Sequence, residues 1–297
     1  MEELELYNNV KNKLKTFLNL TDLQIDEING VYKDPQFPTE LTIPNINKYY
    51  LDYNNSPATI VNRERVEIWD EQITKMNLVL KQIQRLGLKE PVSVLDYGCG
   101  IGIFTYFLSQ YKGFHIDAVE FPGLTLDWVQ YKCDSPNVKT TSLFDYEWNK
   151  KYDIVMCTHV IEHVPDPEQL LNECMNATKG GGLLWIDYPD TWREPEKNPE
   201  HLGKDEFKNK IGKILADNGF AMLLGNIKLW KRIDHKSDLY GDSITIKVRE
   251  GGVSVDTTFP RLRMYEAVGV LEYAKQLLLN TLTQKSKGSQ SLTDKVE

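Results

Sequence analysis

The 297-residue chain is poor in cysteine, in basic charge and in long apolar runs, and each shortage removes a class of function. Its four cysteines include no C-x-x-C pair, so neither a disulfide framework nor a zinc site built on thiolates is expected. Lys and Arg number 35 against 43 Asp and Glu, a formal net charge of −8. That balance disfavours a polyanion such as duplex DNA, whose affinity comes largely from phosphate neutralisation. The best candidate basic patch, Lys228-Leu229-Trp230-Lys231-Arg232 with His235 and Lys236, reads more simply as solvated surface. No apolar run approaches the roughly 18 to 20 residues that a membrane span needs. Nor does Met1-Glu2-Glu3-Leu4-Glu5 begin with the positive charge of a signal peptide, so a cytoplasmic protein is expected.

What the chain does have is Val94-Leu95-Asp96-Tyr97-Gly98-Cys99-Gly100-Ile101-Gly102, an apolar run ending in an acid and then G-x-G-x-G. The apolar residues read as a buried parallel strand, and Ile103 to Leu108 as the helix that follows. Glycine permits positive φ and brings bare backbone against a ligand, so Gly98, Gly100 and Gly102 are expected to floor a nucleotide pocket at a strand's carboxyl end. The dinucleotide fingerprint would need its third glycine where Ile103 stands, which argues against a nicotinamide or flavin dehydrogenase. A second apolar strand, Phe114 to Val119, ends in Glu120, twenty-four residues after Asp96, a placement suited to gripping ribose hydroxyls.

Two further blocks follow in order: Asp153 to Pro167, containing Thr158-His159-Val160-Ile161-Glu162-His163-Val164-Pro165-Asp166-Pro167, and Lys179-Gly180-Gly181-Gly182-Leu183-Leu184-Trp185. Together with the glycine motif and Glu120, these resemble the class I S-adenosylmethionine-dependent methyltransferases, from about Val92 to Asp187 and more loosely to Phe220. The Val160 to Pro167 stretch is similar to small-molecule and sugar methyltransferases and to the O-methyltransferases of the ubiquinone pathway. The resemblance implies an α/β fold, a Rossmann-like seven-stranded methyltransferase sheet with helices on both faces. It implies S-adenosyl-L-methionine as cofactor, held by Asp96, Gly98, Gly100, Gly102, Glu120, Phe121 and Thr158, with Phe144 and Asp145 where family members read the adenine.

A core of this fold needs roughly 150 to 200 residues, which leaves room for additions at both ends. Residues 1–60 read as a helical and then irregular extension able to act as a lid, 61–250 as the methyltransferase core, and 251–297 as a hairpin strand, an amphipathic helix and a disordered tail. In the extension, Glu2 to Leu20 is a helix candidate, Thr21 or Asp22 caps a second that Asn29-Gly30 stops, and Pro35, Pro38 and Pro44 forbid long regular structure until about Asn47. A helix from about Val61 to Leu86 carries Ile73, Met76, Leu80 and Ile83 on one face and ends at Gly87. The aromatic cluster Tyr49, Tyr50 and Tyr53 either folds over the site or forms a seam to the core. Near the end, Phe220 to Leu224, Ile227 to Ile233, Ser243 to Val248 and Val253 to Val255 are expected to supply an antiparallel edge. The Met264 to Leu282 stripe offers a helix that packs on the core or makes a homodimer.

A sulfonium methyl group is already activated, so an enzyme mainly aligns the acceptor and excludes water. An oxygen acceptor must also lose a proton. His159, at the exit of the fourth strand, and His163, expected one helical turn later, are the candidate bases. His159 to His163 also matches H-x-x-E-H, but Pro165 follows within two residues, which is incompatible with the long helix of the zinc peptidases. The ubiquinone-pathway relatives carry a glutamate at the position of His159 beside the Glu162-His163 pair, with a divalent ion proposed there; with that glutamate missing, no metal is assigned here. His201 is placed like a histidine of sugar-type relatives. After the fourth strand stands Cys157-Thr158-His159-Val160 rather than the Asn/Asp-Pro-Pro-aromatic tetrapeptide of nucleic-acid amino-methyltransferases, so a nucleic-acid substrate is not expected. The reading is an enzyme methylating a hydroxyl or amine of a small molecule such as a sugar, nucleotide-linked sugar or phenol. A non-catalytic cofactor-binding subunit is the alternative.

Overall fold

The computed structural model describes residues 3–33, 36–40, 42–189, 201–202, 205–233, 243–249 and 252–258. Five helices come first: α1 (Glu3–Leu18), α2 (Asp22–Val31), α3 (Ile43–Asn54), α4 (Pro57–Arg63) and α5 (Val66–Leu86). Strands and helices then alternate through β1 (Val92–Tyr97), α6 (Ile103–Ser109), β2 (Phe114–Glu120), α7 (Leu124–Cys133), β3 (Val138–Ser142), β4 (Tyr152–Thr158), α8 (Pro167–Ala177) and β5 (Thr178–Asp187). They are followed by α9 (Asp205–Asp217), β6 (Phe220–Leu224), β7 (Leu229–Arg232), β8 (Ser243–Arg249) and β9 (Gly252–Thr258).

Seven strands make one sheet in the order β3-β2-β1-β4-β5-β7-β6. The first five are parallel, and β7 runs antiparallel to both β5 and β6. This is the Rossmann-like α/β sheet expected. The order reverses between β1 and β4, so the crevice where such sheets bind ligands lies beyond the carboxyl ends of those strands. Successive residues of each strand serve opposite faces. Val94, Ile154, Met156 and Trp185 pack with α1, α5, α6 and α7, whereas Leu95, Val155, Cys157 and Ile186 pack with α8 and α9.

Local chemistry explains where the helices begin and end, and where the sequence reading needs correction. Thr21 and Gln24 form a capping box that starts α2, yet α2 runs through Asn29-Gly30 to Val31, so that pair is no stop. Pro44 lies in the first turn of α3, where its missing N–H costs nothing, so regular structure begins at Ile43 rather than after Asn47. The expected Val61–Leu86 helix is two helices, because the chain leaves helical geometry at Glu64 and Arg65. Gly87 ends α5 in the left-handed conformation, φ 62°, as its sequence position suggests. Of the strands expected at the edge, β6 and β7 are there, but β8 and β9 pair only with each other in a separate two-stranded sheet among the described residues. The expected helix over Met264 to Leu282 lies outside the described residues.

The extension is part of the fold. Leu6, Val10 and Leu14 of α1 are buried in the same cluster as Trp69 of α5 and Trp128 of α7. No helix among the described residues is long and apolar enough to cross a membrane.

Candidate functional site

Between β1 and α6 the backbone turns through three left-handed glycines, two closed in by packing and one open. A Cβ on Gly98 would meet Val160 Cγ2 at 2.3 Å, and one on Gly102 would meet Val129 at 2.9 Å, so both are held by close packing. Gly100, at φ 54°, has nothing within 4 Å of where its Cβ would stand: it faces open space. The loop is tied down from below. Gly98 and Cys99 N–H donate to the Val119 carbonyl at 2.8 and 3.0 Å, and Gly102 N–H donates to the Cys99 carbonyl at 2.8 Å.

Glu120 stands at the edge of that open space. Its Oε2 accepts the Gly100 amide at 2.7 Å and its Oε1 the Phe121 amide at 2.8 Å. Burial pushes its pKa up, opposed by these two N–H donors. Asp96 is buried beneath the loop and accepts a 2.6 Å hydrogen bond from the Thr105 hydroxyl, which pins the start of α6. Burial pushes its pKa to about 6; the Thr105 hydrogen bond opposes this and the nearby Glu120 charge adds to it.

Beyond Glu120 the wall is aromatic. Phe144, 55% exposed, meets Phe121 edge to face at 5.6 Å, and Asp145 is exposed in the same turn. Tyr50 also stacks on Phe121, with centroids 5.4 Å apart, and lies 6.2 Å from the His163 ring. Helix α3 is fastened there: Asn55 Oδ1 accepts the Leu124 amide at 3.2 Å, and the Asn54 carbonyl accepts the Thr125 hydroxyl at 2.9 Å. The Tyr49, Tyr50 and Tyr53 cluster therefore sits against the rim of the site.

At the end of β4, Thr158 lies beside Asp187 of β5, and His159 leaves the strand with φ 55° while its amide donates to the Asp187 carbonyl at 2.8 Å. The His159 side chain, 46% exposed, has Nδ1 3.5 Å from Glu162 Oε1 and Nε2 3.8 Å from Asp187 Oδ2. Glu162 is 1% exposed and neither carboxylate oxygen takes a hydrogen bond among the described residues. His163 does not follow on a helix as expected: residues 161–163 form a turn. That turn still brings His163 Nε2 to 3.8 Å from Glu162 Oε1, so both imidazoles converge on one buried acid. His201 packs edge-on against His163 at 4.9 Å, and Glu162, His163 and His201 could bring ligand atoms within 4.8 Å of one another.

A family model described as a methyltransferase domain matches residues 69–224, just over half of the chain. The chain belongs to the class I S-adenosylmethionine-dependent methyltransferases. It is 30% identical over 128 residues to a ubiquinone biosynthesis O-methyltransferase of Histophilus somni (strain 2336), covering 39% of this chain and 52% of that protein. It is 26% identical over 131 residues to (S)-coclaurine N-methyltransferase of Papaver somniferum, covering 42% and 36%. The chain thus spans about half the length, or less, of the curated relatives named here. Among solved structures, a SAM dependent methyltransferase from Aquifex aeolicus aligns with a TM-score of 0.36 at 22% identity, over 51% of this chain and 85% of that one.

For a methyltransferase, the cradle fits its cofactor: Gly100 opens onto space, and a buried carboxylate flanks it with lone pairs left for two hydroxyl donors. Several groups of this methyltransferase escaped the sequence reading. Asp187, buried at the end of β5, is held by Lys75 at 2.9 Å and Lys228 at 3.5 Å. Its position at a strand's carboxyl end was the available clue. The hydrogen bonds to Asp187 and Glu71 raise the Lys75 pKa against the opposing effect of burial. The basic patch around Lys228 is largely structural: Lys228 also donates to the Tyr188 carbonyl, Trp230 is buried, and Arg232 donates to the Met175 and Thr178 carbonyls.

Proposed function

We propose that this methyltransferase transfers a methyl group to a hydroxyl of a small molecule, a sugar, nucleotide-linked sugar or phenol, with His159 as general base. The observation that carries this reading is the seat of His159. Its neighbour Val160 is the residue against which Gly98 of the cradle packs, and its own imidazole lies between Glu162 and Asp187.

When bound, S-adenosylmethionine supplies an activated methyl group and departs as S-adenosylhomocysteine. Asp96, Gly98, Gly100, Gly102, Glu120, Phe121 and Thr158 would hold it, with Phe144 and Asp145 at the adenine end. His159 takes the proton that the acceptor hydroxyl loses as its oxygen attacks. Glu162 orients the imidazole through Nδ1 and steadies the charge that forms on it. Tyr50 and its helix cover the cradle and exclude water. The two named relatives include an O- and an N-methyltransferase. An imidazole backed by a buried acid favours the oxygen acceptor, because a neutral amine has no proton that must leave before attack.

The test is incubation with S-adenosylmethionine and a panel of free sugars, nucleotide sugars, catechols and amines, followed by mass spectrometry. An O-methylated product supports the reading. Methylation confined to amines, or cofactor binding with no product from any acceptor, contradicts it.

A further inference from the structure

Lys132 of α7 is 0% exposed and stands behind the glycine loop rather than in it. Its ammonium donates at 2.6 Å to the Ile101 carbonyl, between the cradle's second and third glycines, and at 2.6 Å to Glu64 Oε1. The rings of Trp69, Trp128 and Tyr106 surround it with centroids at 5.3, 5.4 and 5.8 Å. Glu64 in turn accepts the Trp69 indole N–H at 2.7 Å and the Trp128 indole N–H at 2.6 Å. A buried charge is tolerated only when paired and hydrogen-bonded, and here the partners are drawn from several elements. Glu64 ends α4, Trp69 lies on α5, Lys132 and Trp128 on α7, and Ile101 in the cradle.

We infer that Lys132 is a positioning residue for the cofactor cradle, and that through Glu64 it couples the N-terminal helices to cofactor binding. This rests on the proposed use of the cradle for S-adenosylmethionine. Holding the Ile101 carbonyl fixes the Ile101–Gly102 peptide and so braces from behind the turn that leaves Gly100 facing open space with its amide on Glu120. Residue 64 is continuous with α4, which follows α3 and the Tyr50 lid after two residues. A loop that tightens on the cofactor therefore tightens, through one ammonium, the segment that covers it.

Hydrophobic packing alone would predict a different result from the same substitutions. In Lys132→Met the Ile101 carbonyl loses its donor and Glu64 is left as an uncompensated buried charge. In the double variant Glu64→Gln/Lys132→Met that charge is gone but the carbonyl is still released. The dissociation constant for S-adenosylmethionine, measured by calorimetry well below each variant's melting temperature, is expected to rise tenfold or more in both, the scale of a charge-assisted hydrogen bond. The melting temperature should fall in the single variant and recover in the double. Should the single variant fail to fold, the double carries the measurement. Hydrogen exchange on the wild type carries it without any substitution: S-adenosylmethionine should protect amides of residues 57–64 as well as those of the loop. Wild-type affinity in the double variant, or protection confined to the loop, overturns the inference. A wild type that does not bind S-adenosylmethionine overturns the functional reading beneath it.

Discussion

His159 Nδ1 lies 3.5 Å from Glu162 Oε1, a carboxylate oxygen that is buried and takes no hydrogen bond among the described residues. The imidazoles of His159 and His163 stand 3.5 and 3.8 Å from that acid, an arrangement suited to steadying a proton that either ring takes up.

His159→Ala should therefore lower turnover on an oxygen acceptor by roughly 10² to 10⁴-fold, with the cofactor's dissociation constant nearly unchanged. Wild-type turnover in His159→Ala, with the loss appearing in His163→Ala instead, would transfer the role to His163.

In the metal-free reading Glu162 serves His159 and ligates no ion. Turnover is expected to survive exhaustive treatment with a chelator. Loss of activity on chelation, restored by magnesium or zinc, would replace the base by a metal centre on Glu162, His163 and His201.

Asp96 makes stability depend on pH. With its folded pKa at about 6, above the ordinary carboxylate value of 3.8, the folded protein binds more protons than the unfolded chain between those values. Stability contributed by the protonated form is fully present below about 3.8 and is lost as pH rises through 6, by on the order of 3 kcal/mol for this group. Glu120, also raised, acts in the same direction. Denaturant unfolding from pH 4 to 7 should show this fall in the wild type and a shallower one in Asp96→Asn. Identical slopes would contradict the burial assigned to Asp96.

The cradle was legible because its requirements are local: a strand that ends in an acid, a turn that only glycine can make, and an acid at the next strand's end. His159 and His163 were legible as candidates for the same reason. Their convergence on Glu162 was not, since a turn and not a helix carries residues 161–163. Lys132 and Glu64, separated by 68 positions, carry no sequence signal that pairs them, and only the packing of α7 on the α4–α5 junction joins them. Asp187 with Lys75 is another such pair, 112 positions apart. The misread boundaries have local causes: Pro44 starts a helix from its first turn, and Gly30 is carried inside one by the capping box upstream.

Gly100→Val should abolish cofactor binding while leaving the chain folded, because the added side chain points into the open space of the cradle, although φ 54° strains any residue there. Circular dichroism of wild-type character together with undetectable binding of S-adenosylmethionine is the expected pair of results. Retained affinity would mean that the space beside Gly100 is not the cofactor's.

On the proposed reading, Glu120 grips the ribose of S-adenosylmethionine across the Gly100 turn. Isothermal titration of the wild type and of Glu120→Ala with S-adenosylmethionine tests it directly. The wild type is predicted to bind one equivalent and the variant to bind at least tenfold more weakly, the loss of charge-assisted hydrogen bonds worth about 1.5 to 3 kcal/mol each. Equal affinity in the two proteins would contradict the account.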